Sequence, residues 1–256
     1  GEEIMSNPFD LTGKVALVTG GNVGLGQGIA LALAEAGADI VSVALSDSDD
    51  TVARVKAMGR RAHAVSADLT SIEPVQRVLE ETLEAMGRVD ILVNNAGLIR
   101  RADAVDFTEA DWDVVMNINL KTVFFLSQAV ARHFIKQGEG GKIINIASML
   151  SFQGGIRVPS YTASKSGVAG LTKLMANEWA THRITANAIA PGYFATANTQ
   201  ALREDPVRSA EILGRIPAGR WGEPSDLGGA AVFLASRASD YVQGAILPVD
   251  GGWQAR

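Results

Sequence analysis

The sequence predicts a doubly wound α/β fold: one seven-stranded parallel sheet with helices on both faces. Three observations carry that reading. Short runs rich in Val and Ile alternate with longer helical patterns. The links between them are short, which favours right-handed crossovers that place helices on both sides of a parallel sheet. With 256 residues and 47% hydrophobic content, the chain suits one large domain with a buried core, and no linker-like stretch or internal repeat divides it.

The strand candidates are residues 14–19, 39–44, 62–66, 89–94, 142–147, 185–190 and 245–249. All read as strands buried on both faces. Residues 24–36 are full of Ala and Leu and stop at Gly37, a natural helix end. Residues 50–58 stop at Gly59, and 71–86 carry Pro74 in the first turn and stop at Gly87. Two long helical patterns follow, 109–136 and 159–181. A last helix, 225–235, starts at the capping candidate Ser225. The least regular region is 192–222, which holds Arg203-Glu204-Asp205-Pro206 and Arg215-Ile216-Pro217. An insertion there, near the strand ends, would form a lid over substrate.

Composition removes several function classes. The net charge is −5 with no dense Lys/Arg run, so neither a nucleic-acid partner nor an anionic membrane surface is expected. There are no cysteines, which excludes Cys nucleophiles and Cys-based metal sites. His63, His133 and His182 lie far apart without ligand spacing, so no metal is expected. Residues 1–9 are polar and acidic and read as a flexible extension without the apolar core of a signal peptide. Gly1 reads as left from a cleaved tag, with Met5 one option for the natural start. No apolar run approaches the roughly 20 residues of a membrane span. A cytoplasmic protein is the expectation.

The first strand candidate ends in Thr19-Gly20-Gly21-Asn22-Val23-Gly24-Leu25-Gly26. Glycines at 20, 24 and 26 leave a strand and open a helix, where the backbone must turn tightly and approach a pyrophosphate. The helix N-terminus then offers free N–H groups and partial positive charge. The spacing is TGxxxGxG, a variant of the usual GxGxxG fingerprint. The third strand leads into Ala67-Asp68-Leu69-Thr70, where Asp68 either accepts the adenine amino group or caps the following turn. The fourth ends in Asn94-Asn95-Ala96-Gly97: small residues that let the strand end lie against a ribose, and Asn side chains able to tie neighbouring strands. Residues 42–50, at the end of the second strand, contain no Lys or Arg, and Val23 puts no cation in the glycine loop. Asp47, Asp49 and Asp50 would repel a 2′-phosphate, so NAD is expected over NADP. Asp47 is either a ribose ligand or part of a solvated acidic loop.

Tyr161 and Lys165 are four residues apart on a predicted helix and share a face. A free Tyr has a pKa near 10 and is a poor base at neutral pH. A neighbouring ammonium and an oxidised, positive nicotinamide would favour its phenolate. Tyr161 could then take an alcohol proton while hydride leaves. Ser148 closes the fifth strand and can hold the substrate oxygen. Asn119, in the preceding long helix, could anchor a water joining Lys165 to solvent.

These residues together carry a resemblance. From Leu11 to Trp253 the sequence is similar to the short-chain dehydrogenase/reductase family, through Thr19–Gly26, Asp68, Asn94–Gly97, Asn119, Ser148, Tyr161-Thr162-Ala163-Ser164-Lys165 and Pro191-Gly192. The resemblance implies a single Rossmann-type domain, a catalytic tetrad of Asn119, Ser148, Tyr161 and Lys165, contact of Pro191 and Gly192 with the nicotinamide carboxamide, and a homotetramer. The departure is Ala44, where NAD-using relatives often carry Asp. The runs 97–101, 148–161, 177–180 and 215–222 resemble family members that act with NAD(H) on deoxy-keto sugar acids in uronate and pectin breakdown. A sugar acid needs a carboxylate partner. Arg101 and Arg157 are the candidates, each alternatively a surface or subunit-contact residue, while Gln153 and Ser151 could meet hydroxyls. The competing substrates are a 3-oxoacyl thioester and a simple polyol; a cofactor-binding sensor without turnover is the remote alternative. Phe124, Phe125 and Leu126 in one long helix, and Leu171, Leu174 and Met175 in the other, are expected to form a helix-to-helix subunit contact.

Overall fold

The computed structural model describes Ser6–Arg256. The first five residues of the expected extension, including Gly1 and Met5, lie outside the described residues. The seven strands are β1 Val15–Thr19, β2 Asp39–Ala44, β3 Ala62–Ser66, β4 Ile91–Asn94, β5 Gly141–Ile146, β6 Ile184–Pro191 and β7 Ile246–Val249. They form one all-parallel sheet in the order β3-β2-β1-β4-β5-β6-β7.

Alternation within each strand feeds two cores. Val15 and Leu17 of β1, Leu92 of β4 and Ile143 of β5 face one side. Ala16 and Val18, Ile91 and Val93, and Ile144 face the other. The first side is covered by α3 (Val75–Met86), α5 (Thr122–Gln137) and α6 (Pro159–Trp179) through Val78, Leu126, Phe134 and Met175. The second is covered by α1 (Gly24–Glu35), α2 (Asp49–Ala57) and α9 (Gly228–Ala235) through Ile29, Leu33, Val55 and Leu234. The central strands match the doubly buried reading. The edge strands depart from it: β3 and β7 each have only one neighbour, and both carry exposed positions.

Three helices differ from expectation. The pattern at 109–136 is α4 (Glu109–Met116), a π turn (Asn117–Lys121) and α5, in one continuous run; Thr122 N–H bonds the Asn117 carbonyl five residues back. That 29-residue run is long and apolar enough to cross a membrane by length and composition, contrary to the expectation that no run comes close. Its apolar stripe is spent on the sheet. The pattern at 71–86 begins as a helix only at Val75. Ser225 does not cap the last helix; a 3-10 turn (Pro224–Leu227) precedes α9, capped by Glu223 and Asp226, whose carboxylate accepts the Glu223 N–H at 2.8 Å.

Residues 192–222 hold α7 (Gln200–Glu204) and α8 (Pro206–Arg215). The insertion is pinched at its base, where Ala195 N–H meets the Gly222 carbonyl at 2.7 Å and Gly222 N–H meets that of Tyr193 at 2.8 Å. At the opposite end of the sheet, Asp90 accepts Val15 N–H at 2.9 Å and takes two bonds from Arg88, aligning the starts of β1 and β4. The long-helix side chains expected at a subunit contact divide. Leu126 and Met175 lie in the core, Phe124 and Leu171 pack against it, and only Leu174 is exposed.

Candidate active site

The strand order reverses between β1 and β4, so the loops leaving their carboxyl ends diverge and open a crevice. Thr19 holds its two walls in register: its Oγ1 accepts Asn95 N–H and Ala96 N–H, both at 3.0 Å. Asn94 donates to Asn145 Oδ1 at 2.9 Å and Ser127 Oγ at 3.0 Å, and Asn145 donates to Thr172 Oγ1 at 3.0 Å. This buried polar chain ties β4 to β5 and to helices α5 and α6 beneath the site.

The glycine loop fits a dinucleotide. Gly24 has φ +56°, which disfavours any residue with a Cβ, and the nearest atom to a methyl there would be Thr196 Cγ2 at 4.0 Å. A Cβ on Gly26 would lie 2.0 Å from the Gly20 carbonyl oxygen and 2.4 Å from Asn95 Nδ2, so a side chain would part the loop from the β4 end. Val23 caps α1 without a side-chain hydrogen bond, and the first turn has no acid. The α1 N–H groups are therefore left for an anion. Asn22 joins this loop to the one after β2 by donating to Ser46 Oγ at 2.8 Å. Leu25 is half-buried against the α1-side core. Asp47 is exposed and accepts Asp49 N–H. Asp68 Oδ1 takes both Thr70 N–H and Thr70 Oγ1–H, which holds its carboxyl below the usual range; the turn-capping alternative is thus present in the structure. Leu69 is buried, its carbonyl accepting Thr122 Oγ1 at 2.8 Å. Pro191 ends β6, and Gly192 N–H bonds the Val249 carbonyl. The residues in this cradle suit a nicotinamide dinucleotide.

Tyr161, Lys165 and Ser148 come together where β5 ends and α6 begins. The Ser148 hydroxyl lies beside the Tyr161 phenol and favours its ionised form, and it accepts Leu150 N–H at 3.1 Å. Lys165 is buried and donates to the Ile146 carbonyl at 2.7 Å, with Nζ 5.6 Å from the Tyr161 ring centroid. Burial pulls its pKa down to about 8. Burial pushes the Tyr161 phenol up from its ordinary value, opposed by the Ser148 hydrogen bond and by the charge on Arg101. This corrects the expectation that Lys165 lowers the Tyr161 pKa in the chain itself. Burial draws Lys165 toward its neutral form and pushes the phenol up, and loss of water around the phenol outweighs the groups that favour phenolate.

Asn119 lies in the π turn and is buried. Its Oδ1 accepts Leu98 N–H at 2.8 Å, and its Nδ2 donates to the Leu98 carbonyl at 2.9 Å and to Ser164 Oγ at 3.3 Å. The side chain is a clamp on the loop after β4, with the amide NH2 shared between the Leu98 carbonyl and Ser164. Gly97 lies against the same amide, 3.0 Å from a would-be Cβ to Oδ1.

The two arginines separate. Arg157, at φ +64°, pairs with Asp103 at 2.9 Å. Arg101 has neither ion pair nor hydrogen bond among the described residues, yet its charge is felt at Tyr161. The Ser151 hydroxyl is engaged with the Lys165 carbonyl at 2.7 Å and accepts Ser148 N–H, which removes it from the candidate hydroxyl contacts. Gln153 Oε1 accepts the Trp253 indole N–H at 3.4 Å. Trp253 and Thr196 are the neighbours that sequence reasoning missed. Thr196 had no distinguishing signal, and Trp253 reaches the site from a hundred residues along the chain.

Fold and site together define a nicotinamide-dependent oxidoreductase acting on a hydroxyl group. The chain belongs to the short-chain dehydrogenase/reductase family: residues 20–254 match the family model described as enoyl-(acyl carrier protein) reductase. It is 66% identical to the 2-dehydro-3-deoxy-D-gluconate 5-dehydrogenase of Escherichia coli K12, over 97% of this chain and 98% of that protein. It is 55% identical to the enzyme of the same name from Bacillus subtilis, over 98% and 99%. Among solved structures, a gluconate 5-dehydrogenase from Burkholderia cenocepacia with NADP and tartrate superposes with a TM-score of 0.91 at 43% identity, covering 97% and 98% of the two chains. A provisionally assigned 2-deoxy-D-gluconate 3-dehydrogenase from Agrobacterium tumefaciens, with bound NADP, gives 0.92 at 58% identity over 98% and 100%.

Proposed function

We propose that the chain is an NAD-dependent dehydrogenase of deoxy-keto sugar acids, interconverting 2-keto-3-deoxygluconate and its 2,5-diketo counterpart in uronate and pectin breakdown. The observation that carries this reading is the Arg101 guanidinium, which has no ion pair or hydrogen bond among the described residues and stands near enough to Tyr161 to favour its phenolate. A sugar acid supplies the carboxylate that such a cation takes; an acyl thioester or a neutral polyol does not. The relatives' names point the same way.

The nicotinamide, when bound, supplies the hydride acceptor or donor and, when oxidised, a positive charge. The protein's part is the proton. Ser148 holds the reacting oxygen beside Tyr161 Oη. In oxidation the Tyr161 phenolate takes the hydroxyl proton; in reduction the phenol returns it. Lys165 sits behind the ring as the buried cation, and the Asn119 clamp holds the loop after β4 against α6. The cradle for the dinucleotide is Gly20, Asn22, Val23, Gly24, Leu25 and Gly26 for the pyrophosphate, Asp47, Asp68 and Leu69 at the adenosine end, Asn95, Ala96 and Gly97 for the ribose, and Pro191 and Gly192 at the nicotinamide. The acids at 47, 49 and 50, with no cation between 42 and 50, favour NAD, although related structures hold NADP. Residues 192–222 act as the lid. A homotetramer and a cytoplasmic location complete the reading, with exposed Leu174 at the subunit contact.

The test is initial-rate measurement by NADH absorbance on 2-keto-3-deoxygluconate, D-gluconate, an acetoacetyl thioester and a neutral polyol, each with both cofactors. The expected result is fastest turnover of the keto-deoxy acid with NAD. Preference for the thioester and NADPH would overturn it.

A further inference from the structure

We infer that Trp253 is a positioning residue for substrate recognition: its indole N–H fixes the amide of Gln153 so that the Gln153 NH2 faces a substrate oxygen. The inference rests on the proposed sugar-acid reading and deepens it.

An indole N–H can only donate, and an amide has distinct donor and acceptor ends. Trp253 Nε1 lies 3.4 Å from Gln153 Oε1. The bond therefore selects one of the two amide orientations, which isolated Gln side chains interchange freely. With Oε1 committed to the indole, the two Nε2 hydrogens form the end of Gln153 left for another group, and none of them is used within the described residues.

The donor is itself held. Trp253 is buried, with Tyr193 tilted against it at 4.8 Å between ring centroids and the Arg215 guanidinium 4.0 Å over its ring. Tyr193 follows directly after Pro191-Gly192, and Arg215 is the last residue of α8. Gln153 N–H bonds the Met149 carbonyl in the turn that starts at Ser148. Gln153 thus belongs to the segment that begins at Ser148, the residue beside Tyr161. Trp253 braces that segment against the β6 end and the 192–222 insertion.

The consequence is selectivity by a donor. A sugar-acid chain offers hydroxyl or keto oxygens to the amide hydrogens. The alkyl part of an acyl thioester offers none beyond its two carbonyl oxygens, and a site built to bond a hydroxyl-rich substrate rejects a chain that leaves its donors unmet.

The test is a double-mutant cycle on the full chain. Trp253→Phe keeps a ring for Arg215 and Tyr193 and removes the N–H together with part of the indole's volume. Gln153→Leu removes the amide. Gln153→Glu keeps an acceptor for the indole and removes the donors. We expect Trp253→Phe to raise KM for the keto-deoxy acid about five- to ten-fold with kcat nearly unchanged, corresponding to one neutral hydrogen bond. Gln153→Leu and Gln153→Glu should both raise it at least as far. Trp253→Phe combined with Gln153→Leu should be no worse than Gln153→Leu alone. NADH affinity should hold throughout, and any fall in melting temperature in Trp253→Phe should leave the chain folded at the assay temperature. Additive losses, a KM unchanged in Trp253→Phe, or a Gln153→Glu as good as wild type would overturn the inference while leaving the sugar-acid reading intact. A wild-type chain inactive on every sugar acid overturns that reading, and this one with it.

Discussion

Replacing Arg101 with Met separates two contributions of one cation. The first is to binding. A hydrogen bond to a charged group contributes about 1.5–3 kcal/mol. Arg101 is exposed, so water screens it and the lower half of that range applies, about 1.5–2 kcal/mol. At 1.4 kcal/mol per decade this is a roughly 10- to 30-fold loss in kcat/KM on the sugar acid, carried by KM. The second contribution is to Tyr161. Arg101 pulls the phenol pKa down against burial; without it the phenol titrates higher. Oxidation needs phenolate, so its rate limb moves to more alkaline pH. Reduction needs the phenol and keeps its neutral-pH rate apart from the binding loss. The assay is NADH absorbance in both directions over roughly pH 6 to 10, a span that reaches the ordinary Tyr range, with the keto-deoxy acid and with a neutral polyol. Arg157→Met is the control. It loses only an exposed pair with Asp103, worth under about 1 kcal/mol. Equal losses on acid and polyol, or a larger loss in Arg157→Met, would refute the reasoning.

Three further outcomes are expected. Gly26→Ala drives a methyl into the Gly20 carbonyl and should weaken NADH binding about 10- to 100-fold, the loss of one charge-assisted bond, while the fold survives; fluorescence titration giving an unchanged Kd would contradict this. Lys165→Met should stop turnover yet stabilise the chain by about 1–2 kcal/mol at pH 7. The folded pKa of about 8 lies below the ordinary 10.5, so the burial penalty is fully present below about pH 8, fades as pH rises to the ordinary value, and exceeds the one hydrogen bond to Ile146 that is lost. Urea midpoints on both sides of that window measure it, and a lower midpoint at pH 7 would show that the ammonium is not penalised. Asn145→Leu should cost about 2–4 kcal/mol, because Asn94 and Thr172 lose a buried partner; a melting temperature within a degree of wild type would remove this chain from the account of how β4 and β5 stay in register.

The strands were legible nearly to the residue because most are short apolar runs rich in Val, Ile and Ala between polar breaks, and β2 and β3 match the predicted bounds. The Tyr161–Lys165 pairing was legible from helical spacing alone. What spacing does not carry is burial, and burial reverses the expected effect on Tyr161. The choice between Arg101 and Arg157 was also closed to sequence, because it turns on Asp103, fifty-four residues before Arg157 and brought to it only by the fold. Ser225 looked like a cap because Ser often is one; the Glu223–Asp226 pair does that work from two residues earlier. Trp253 reaches Gln153 across a hundred residues, beyond any local pattern.

The π turn at Asn117–Lys121 has a consequence for the helix that contains it. Each residue of a regular helix advances about 100° around the axis, so one residue taken up in a wider turn offsets the angular phase of everything after it. α4 packs on α6, and α5 packs on α3 and the sheet. Each half meets its own partner with its own apolar stripe, which a helix of uniform pitch could not aim in both directions at once. Forcing the same residues into uniform pitch would swing one stripe about 100° off its partner; deleting one residue between 117 and 121 would keep the stripes in phase but remove the wider turn that sets Asn119 against Leu98. The extra residue in this turn is therefore tied to the asparagine it presents, and not to the packing of the two halves.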